Sequence, residues 1–363
     1  GGRSWIVMDA PPELEPCEPF VRIGERMLET GVNVPKIIAR DLEQGFLVLS
    51  DFGDVHYQDV LDGPDREELY DLAISEILKF QDGLADFAES LPEFDRAWQG
   101  KELGIFREWC LPGIDQAHYE QAVTPLVSAI EEIPKSFMHR DFHCRNLLLP
   151  SPDKIGVIDF QGAMLGPVTY DLVSLLRDCY VDNDEDWIEE EVSSFQQALE
   201  QGSSPMPEMS DEDFLRWFDL TGLQRHLKCI GIFHRLKVRD GKDGYLADVP
   251  RVRGYVETVL ERYPELSGIA DLYGQAELLT QLFREFVYLL GSLSHFAIHV
   301  QRIADHKLRN GPFPHDIGQV VQALRAISPC HHPEGKSDPQ LIGPSQPHPL
   351  GPVVDPKVYR HRP

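Results

Sequence analysis

The spacing of apolar residues changes along the chain and predicts a small strand-containing region that precedes a larger helical one. Residues 4 to 9 are β-prone and lead into two prolines, and residues 46–49 form a short apolar run that is typical of a buried strand. Between these two strands, a helix is predicted from about Glu18 to Thr30, with Gly31 closing it.

The helical region begins with a stripe of apolar residues between Arg66 and Gln81. Their spacing is that of an amphipathic helix, and we assign the stripe to the core: Leu69, Leu72, Ala73, Ile77 and Phe80. Further helices are predicted around residues 114–132, 171–181, 185–200, 211–237 and 250–262. A small strand-containing part followed by a mainly helical part indicates an α+β fold.

Charge and composition change near residue 273. Residues 1–273 carry 25 Lys and Arg against 53 Asp and Glu, whereas residues 274–363 carry nine against seven. An apolar stripe at helical spacing between Leu278 and Phe296 predicts an extra helical segment at residues 274–327. Beyond Ser328, nine prolines argue against a compact fold, and residues 328–363 are predicted to be a disordered tail.

The net charge of −26 excludes some classes of partner. Nucleic acids and anionic membranes select basic surfaces, so neither is expected to bind this chain. An anionic substrate would be repelled by most of the surface, and local basic residues would have to offset that field. The candidates are Arg225, His226, Lys228 and Arg235.

The cysteines and the apolar segments predict a cytoplasmic protein. Six cysteines are scattered without a C-x-x-C pair, and no apolar leader opens the sequence, which is typical of a reducing compartment. The longest apolar stretch, Phe286 to Val300, is interrupted by polar residues and is too short to span a membrane.

Two short strings carry the candidate chemistry. The first runs from His139 to Asn146 in the pattern H-x-D-x-x-x-x-N, and the second ends a short strand at Asp159. Phosphoryl transfer from ATP requires a carboxylate that accepts the proton of the acceptor hydroxyl, together with an Asn and an Asp that hold Mg²⁺. Asp141, Asn146 and Asp159 match these roles in chain order.

Single Asp and Asn residues are common in turns, but several independent positions match the kinase pattern here, which favours the catalytic interpretation. His139 is expected to support the loop rather than to titrate in catalysis, and Arg145 to brace either the loop or the charge that develops during transfer.

The string H-x-D-x-H-x-x-N with Ile-Asp-Phe behind it resembles the aminoglycoside phosphotransferase and choline kinase group, which is related to the protein kinases. Four further strings, which begin at Val7, Gly166, Leu223 and Gly241, resemble the bacterial N-acetylmuramate/N-acetylglucosamine anomeric kinases of cell-wall recycling. The resemblance covers about residues 3 to 272. It implies a protein kinase-like fold of two lobes, with ATP and Mg²⁺ as cofactors and a small amino sugar or alcohol as acceptor.

The resemblance also implies how the chain is divided. Residues 1–53 would form a partial N-lobe and hinge, and residues 54–273 the helical C-lobe with the catalytic loop. Asp51-Phe52-Gly53 precedes the catalytic loop and therefore cannot be the metal-binding triplet. It corresponds to the hinge, where Leu49 and Asp51 would meet adenine.

Other residues have two interpretations each. Asp171 either caps the helix that begins near Tyr170 or braces the catalytic loop, as a related Asp does in kinases. Gln224, Arg225 and His226 either line the sugar site or form a solvated face, and the resemblance favours the sugar site.

The start of the chain departs from the family pattern. Residues 4 to 8 correspond to the third strand of the small lobe, so the first two strands and the loop that covers the phosphates are expected to be absent, and the N-lobe to be truncated. Met8 stands near the position at which most kinases carry a phosphate-binding Lys. The amino-sugar kinases share this string, so the missing Lys does not argue against activity.

Three functions follow from these observations. The leading one is transfer of the γ-phosphoryl group of ATP to the anomeric hydroxyl of an N-acetylated amino sugar. The first alternative keeps the chemistry but changes the acceptor to an aminoglycoside, choline or another small alcohol. The second alternative is an inactive, truncated or pseudokinase-like module that acts through a partner.

Overall fold

The computed structural model describes residues 4–13, 16–202, 206–207, 209–281 and 357–361. The chain divides into two units, one of Gly1–Tyr273 with Val354–Pro363, and one of Gly274–Val353. Of the second unit, the structure describes only residues 274–281, which are helical. The predicted helical segment at 274–327 therefore lies mostly outside the described residues.

The first part of the chain forms an antiparallel sheet with one helix. Its strands are β1 (Trp5–Asp9), β2 (Ile37–Asp41) and β3 (Phe46–Ser50), and helix α1 (Glu18–Glu29) connects β1 to β2. Strand β1 pairs with β3 from Trp5 opposite Ser50 to Asp9 opposite Phe46. The predictions of β1, α1 and β3 are confirmed, and Gly31 adopts the positive φ of 86° that ends α1.

A fourth strand, β8 (Lys357–His361), comes from the end of the chain and pairs with β1 on the side that β3 leaves open. The prediction of a disordered tail at 328–363 is wrong for these residues, and the rest of the tail lies outside the described part. The β propensity of Val358 and Tyr359 and the unpaired backbone groups along β1 account for the pairing. Proline content alone did not reveal this local strand.

The larger part of the chain is helical, with two small antiparallel sheets inserted. Its helices are α2 (Arg66–Gly83), α3 (Ala85–Ala88), α4 (Arg96–Cys110), α5 (Gln116–Glu131), α6 (Tyr170–Leu176), α7 (Glu185–Glu200), α8 (Asp211–Asp240) and α9 (Val249–Arg262). Strand β4 (Lys135–Met138) pairs with β7 (Met164–Pro167), and β5 (Leu147–Ser151) pairs with β6 (Lys154–Val157). The predicted α+β arrangement is confirmed.

Helix α8 is the centre of this region, since α4, α6, α7 and α9 all pack against it. It contacts α4 closely at Gly231, where a Cβ atom would lie 2.7 Å from the backbone nitrogen of Phe106. The absence of a side chain at Gly231 therefore allows the backbones of the two helices to meet directly.

Helix α4 was not predicted from the sequence. Its N-cap is Asp95, whose carboxylate accepts a hydrogen bond from the Trp98 N–H at 2.8 Å. Its buried face mixes polar and apolar residues, which weakens the periodic signal: Gln99, Glu102, Leu103, Phe106 and Cys110. The omission matters because this helix supplies residues to the candidate site.

Helix α6 is shorter than predicted and ends at Leu176 instead of residue 181. Arg177 leaves the helical conformation, and the following Asp178 uses its carboxylate to hold a turn by accepting the N–H of Tyr180 at 2.9 Å. Among the described residues, no helix combines the length and the apolar character that crossing a bilayer requires.

Candidate active site

A cleft of about 410 Å³ lies between the sheet that contains β1 and β3 and the loops that follow β4 and β6. Much of its lining is apolar: Ile6, Met8, Phe20, Pro35, Leu49, Phe52, Leu148 and Ile158. Its polar lining includes Asp51, Asn146 and Asp159. Four residues that the sequence assigned to adenine or metal binding, Leu49, Asp51, Asn146 and Asp159, thus line the same cleft.

The segment after β3 forms one wall of this cleft. The Gly53 N–H donates a hydrogen bond to the Asp51 carboxylate at 2.9 Å, and Gly53 has a φ of 89°, so the chain turns sharply here. The ring of Phe52 packs against Gly156 of β6, where a Cβ atom would lie only 2.3 Å from the ring. Gly156 thereby lets the predicted hinge approach the catalytic region closely.

The three predicted catalytic and metal-binding residues lie together: Asp141 and Asn146 in the loop between β4 and β5, and Asp159 after β6. The side-chain amide of Asn146 donates hydrogen bonds to the backbone carbonyl of Asp141 at 3.0 Å and to the carboxylate of Asp159 at 3.2 Å. The other Asp159 oxygen accepts a hydrogen bond from the Gln161 amide at 2.8 Å. Asp159 has a φ of 65°, a left-handed conformation that is uncommon for non-glycine residues and that recurs at functional sites.

The donor set at Asn146 and Asp159 suits a hard cation. Desolvation by the cleft walls and the negative charge of Asp141 both raise the pKa of Asp159, so a cation at this carboxylate would relieve an unfavourable charge. Carboxylate and amide oxygens are the ligands that Mg²⁺ prefers. Within the described part of the chain, no group of three or more His, Cys, Asp and Glu side chains could hold a metal alone. Phosphate and water would have to complete the coordination.

Asp141 lies half-buried among basic side chains. Burial by itself would raise its pKa, but the ammonium group of Lys228 and the guanidinium group of Arg140 outweigh burial and lower the pKa below its usual value. Asp141 is therefore a carboxylate at neutral pH and can accept a hydrogen bond from a hydroxyl group.

Glu102 of α4 contacts both cationic side chains that lower the pKa of Asp141, Lys228 and Arg140. The Lys228 ammonium lies 3.3 Å from Glu102 Oε1, and Arg140 Nη2 lies 3.0 Å from the same oxygen. Gln224 donates its amide N–H to Glu102 Oε2 at 3.2 Å, and the Trp98 indole N–H faces Oε1 at 3.4 Å. Burial raises the pKa of Glu102, but these cations outweigh it and keep the pKa low. We call Trp98, Glu102, Arg140, Gln224 and Lys228 the Glu102 cluster.

Two buried aspartates brace the catalytic loop. Asp171 accepts hydrogen bonds from the backbone N–H groups of His139 at 2.6 Å and Arg140 at 2.9 Å. Of the two roles considered for Asp171, these contacts favour bracing, since Asp171 lies inside α6 and Thr169 is the N-cap. Burial raises the pKa of Asp171 to about 7. Asp178 accepts the N–H of Cys144 at 2.8 Å.

His139 is fully buried beside the loop. Its ring makes an edge contact with Phe142 at a centroid distance of 5.5 Å. Burial lowers its pKa to about 4, so the imidazole is neutral at physiological pH. These contacts favour the predicted supporting role.

Arg145 contacts three separate segments of the chain. Its Nε donates to the Gln58 side-chain oxygen at 2.9 Å, and its guanidinium carbon lies 3.4 Å from the centre of the Tyr180 ring. Its Nη2 lies 4.0 Å from Asp248. Of the two roles considered for Arg145, these contacts favour bracing of the loop.

The three consecutive residues assigned to the substrate on α8 point to different neighbours. Gln224 contacts Glu102, and Arg225 contacts the Cys179 sulfur at 3.6 Å. The His226 ring stacks on Tyr255 at 5.0 Å and bonds to the backbone carbonyl of Arg177. Only Gln224 of the three joins the Glu102 cluster.

Sequence reasoning did not assign Trp98, Glu102 or Lys228 to the site. Lys228 was considered only as a source of positive charge. A usable signal was present at Asp95, a good N-cap residue three positions before Trp98, which marks the start of a helix. The pairing of Glu102 with residues of α8 carries no such local signal, because the two helices are far apart in the chain.

The chain is similar to known proteins over most of its length. A family model described as "Phosphotransferase enzyme family" matches residues 1–218. An N-acetylmuramate/N-acetylglucosamine kinase of Pseudomonas aeruginosa is 43% identical over 280 residues, which are 75% of this chain and 82% of that protein. A protein of the same name from Neisseria meningitidis is 36% identical over 295 residues, 77% of this chain and 86% of that protein.

Solved structures with a similar fold are more distant in sequence. An ethanolamine kinase of Plasmodium vivax superimposes with a TM-score of 0.51 at 13% identity, over 69% of this chain and 75% of that one. A choline/ethanolamine kinase family protein from Mesorhizobium loti gives a TM-score of 0.50 at 14% identity, over 74% and 85% of the two chains. These similarities confirm the predicted kinase-like fold.

Proposed function

The chain belongs to the phosphotransferase enzyme family, and on this basis we propose that it transfers the γ-phosphoryl group of ATP to the anomeric hydroxyl of an N-acetylated amino sugar. The observation that carries the proposal is the 43% identity to a protein named N-acetylmuramate/N-acetylglucosamine kinase, of which the chain covers 82%.

The nucleotide occupies the cleft beneath the sheet in this proposal. The apolar walls near Leu49 and Met8 suit a flat purine base, and the backbone at Asp51 supplies polar groups at the base edge. Asn146 and Asp159 lie in the same cleft and would hold Mg²⁺, which neutralises the charge on the phosphates when it is bound.

Asp141 accepts the proton of the sugar hydroxyl. Its carboxylate is ionised at neutral pH because Lys228 and Arg140 lower its pKa. The hydrogen bonds from Asn146 to the Asp141 backbone and to Asp159 link the proton acceptor to the metal-binding residues at fixed distances. Positioning of this kind accounts for most of the catalysis in phosphoryl transfer, where the protein does little covalent chemistry.

The test is ADP release from magnesium ATP with N-acetylglucosamine or N-acetylmuramate as acceptor. Methyl N-acetylglucosaminide is the matched acceptor control, since it lacks a free anomeric hydroxyl. We expect release with both free sugars and none above background with the methyl glycoside. Phosphorylation of the methyl glycoside at a similar rate would contradict an anomeric acceptor.

The variant Asp141→Asn tests the catalytic assignment. Loss of general-base assistance should lower kcat by about 100-fold to 10,000-fold while the protein remains folded. Asp153→Asn is the matched control, because Asp153 is an exposed residue in the turn between β5 and β6. Near-normal kcat in Asp141→Asn would refute the role of Asp141.

A further inference from the structure

The cleft assigned to the nucleotide is acidic. Three aspartates line it, Asp51, Asp54 and Asp159, and its described lining includes neither Lys nor Arg. A bound triphosphate would add further negative charge to the same space, so divalent cations would have to supply most of the compensation. The side chains that can hold such a cation therefore decide whether the nucleotide binds.

Gln161 contacts the Asp159 carboxylate from the side opposite Asn146. Its amide donates a hydrogen bond to Asp159 Oδ1 at 2.8 Å, whereas the Asn146 amide lies 3.2 Å from Oδ2. All three side chains line the cleft. A cation shared by the two carboxylate oxygens would thus have a carboxamide on either side.

The distance between Gln161 and Asp159 matches that between neighbouring ligands of Mg²⁺. Mg²⁺ binds six oxygens in an octahedron at about 2.0–2.1 Å, which sets neighbouring oxygens about 2.9 Å apart. The amide nitrogen of Gln161 and Oδ1 of Asp159 already have this separation. An oxygen in the place of that nitrogen would be positioned as a second ligand without any movement of the backbone.

The orientation of the Gln161 amide follows from the charge that it faces. An ionised carboxylate only accepts hydrogen bonds, so the amide turns its NH₂ group towards Asp159. A divalent cation at this carboxylate would repel the NH₂ group and attract the amide oxygen. The last torsion of a Gln side chain is broad and roughly two-fold, so the two amide atoms exchange places easily.

Asn146 does not need this rotation. Its NH₂ group also donates to the backbone carbonyl of Asp141 at 3.0 Å, which fixes the orientation of its amide in the catalytic loop. The two carboxamides therefore differ: the loop sets the orientation of Asn146, whereas the charge at Asp159 sets that of Gln161.

We propose that Gln161 is a third protein ligand of the divalent cation, and that its carboxamide rotates on cation binding to present Oε1 beside Asp159 and Asn146. This inference rests on the proposed function, because it takes the cleft to hold a complex of metal and nucleotide. A hydrogen bond that merely orients Asp159 would use the same contact, so the experiment has to separate a ligand from a positioning group.

Mn²⁺ is the probe, since it prefers the same oxygen ligands as Mg²⁺ and its unbound fraction can be measured by electron paramagnetic resonance. The measured quantity is the Mn²⁺ Kd of the full chain with a saturating non-hydrolysable ATP analogue and no sugar, corrected for Mn²⁺ bound to free analogue. Gln161→Met keeps the length of the side chain but has no oxygen, and should raise this Kd on the order of tenfold. Gln197→Met, at an exposed position of α7, is the matched control and should leave the Kd unchanged.

Gln161→His separates the two roles. Imidazole favours Co²⁺ over Mn²⁺ more than a carboxamide oxygen does, so direct contact should raise the ratio of the Mn²⁺ Kd to the Co²⁺ Kd severalfold. Calorimetric titration gives the Co²⁺ Kd under the same conditions. Gln197→His controls for an imidazole added elsewhere and should keep the wild-type ratio. A wild-type ratio in Gln161→His, or a wild-type Mn²⁺ Kd in Gln161→Met, overturns the proposal.

Turnover distinguishes failure of this inference from failure of the proposed function. Acceptor-dependent ADP release by wild type, together with an unchanged metal ratio in Gln161→His, supports the function and overturns the inference. The expected changes in metal binding without phosphorylation of any amino sugar support the inference and overturn the choice of acceptor. Absence of Mn²⁺ binding by wild type in the presence of the analogue overturns both.

Discussion

The two hydrogen bonds that Asp171 accepts from the catalytic loop lead to a quantitative prediction. Its carboxylate holds the N–H groups of His139 and Arg140 at 2.6 and 2.9 Å, two and one residues before Asp141. Arg140 also has a φ of 80°, which a non-glycine residue adopts only when its surroundings impose it. Asp171 is therefore expected to fix both the stability and the position of the loop.

The magnitude follows from the number of bonds. A hydrogen bond to a charged group contributes about 1.5–3 kcal/mol, so Asp171→Ala should cost about 3–6 kcal/mol in the free energy of unfolding. Asp171→Asn keeps one acceptor oxygen and should cost about half as much. A displacement of Asp141 by about 1 Å would lower kcat roughly 100-fold.

The assay compares wild type, Asp171→Asn and the exposed control Asp153→Asn at pH 8, above the pKa of about 7 that burial gives Asp171. Urea unfolding gives the stability, and acceptor-dependent ADP release gives kcat. Hydrogen exchange at the amides of residues 139 and 140 reports the local bonds directly. Wild-type exchange rates at these two amides, together with kcat within twofold of wild type, would refute the bracing role.

Two further predictions concern the buried histidine and the hinge. The pKa of His139 is about 4 in the folded protein against 6.5 in the unfolded chain. The free energy of unfolding of wild type should therefore fall by about 2 kcal/mol between pH 7.5 and pH 5, because only the unfolded state takes up the proton in this range. In His139→Gln this part of the pH dependence should be missing. Urea unfolding at both pH values checks this, and an identical pH dependence in the variant would contradict it. Gly156→Ala places a Cβ atom 2.3 Å from the Phe52 ring and should cost about 1–3 kcal/mol and raise the KM for ATP. Gly100→Ala, where the space around the Cβ position is open, is the control, and equal KM values for wild type and Gly156→Ala would show that the hinge does not depend on this contact.

The grouping of the proposed nucleotide-binding and metal-binding residues could be predicted from the sequence because most of it is local. Asp141 and Asn146 lie in one loop, and Asp159 follows the next hairpin, so their spacing indicated that they would lie together, and their roles remain a proposal. Leu49 and Asp51 were identified through the resemblance to a family. The structure brings Leu49, Asp51, Asn146 and Asp159 to one cleft.

The remaining parts depend on contacts between distant segments. Glu102 of α4 contacts Lys228 of α8 where the two helices pack together. The mixture of polar and apolar residues on the buried face of α4 prevented prediction of the helix itself. Helix α8 was predicted, but the direction in which each of its polar residues points was not: Gln224 and His226 have unrelated neighbours although they are two residues apart. Strand β8 depends on the free edge of β1, which composition cannot reveal.

The division between the catalytic loop and the helices has an evolutionary consequence. The residues proposed to handle phosphate lie between Asp141 and Asp159, whereas Glu102 and Lys228 belong to helices on either side of that segment in the chain. Point mutations in α4 or α8 can therefore change the surroundings of Asp141 while the sequence of the loop is inherited unchanged. A library confined to these two helices would measure how strongly turnover depends on those surroundings.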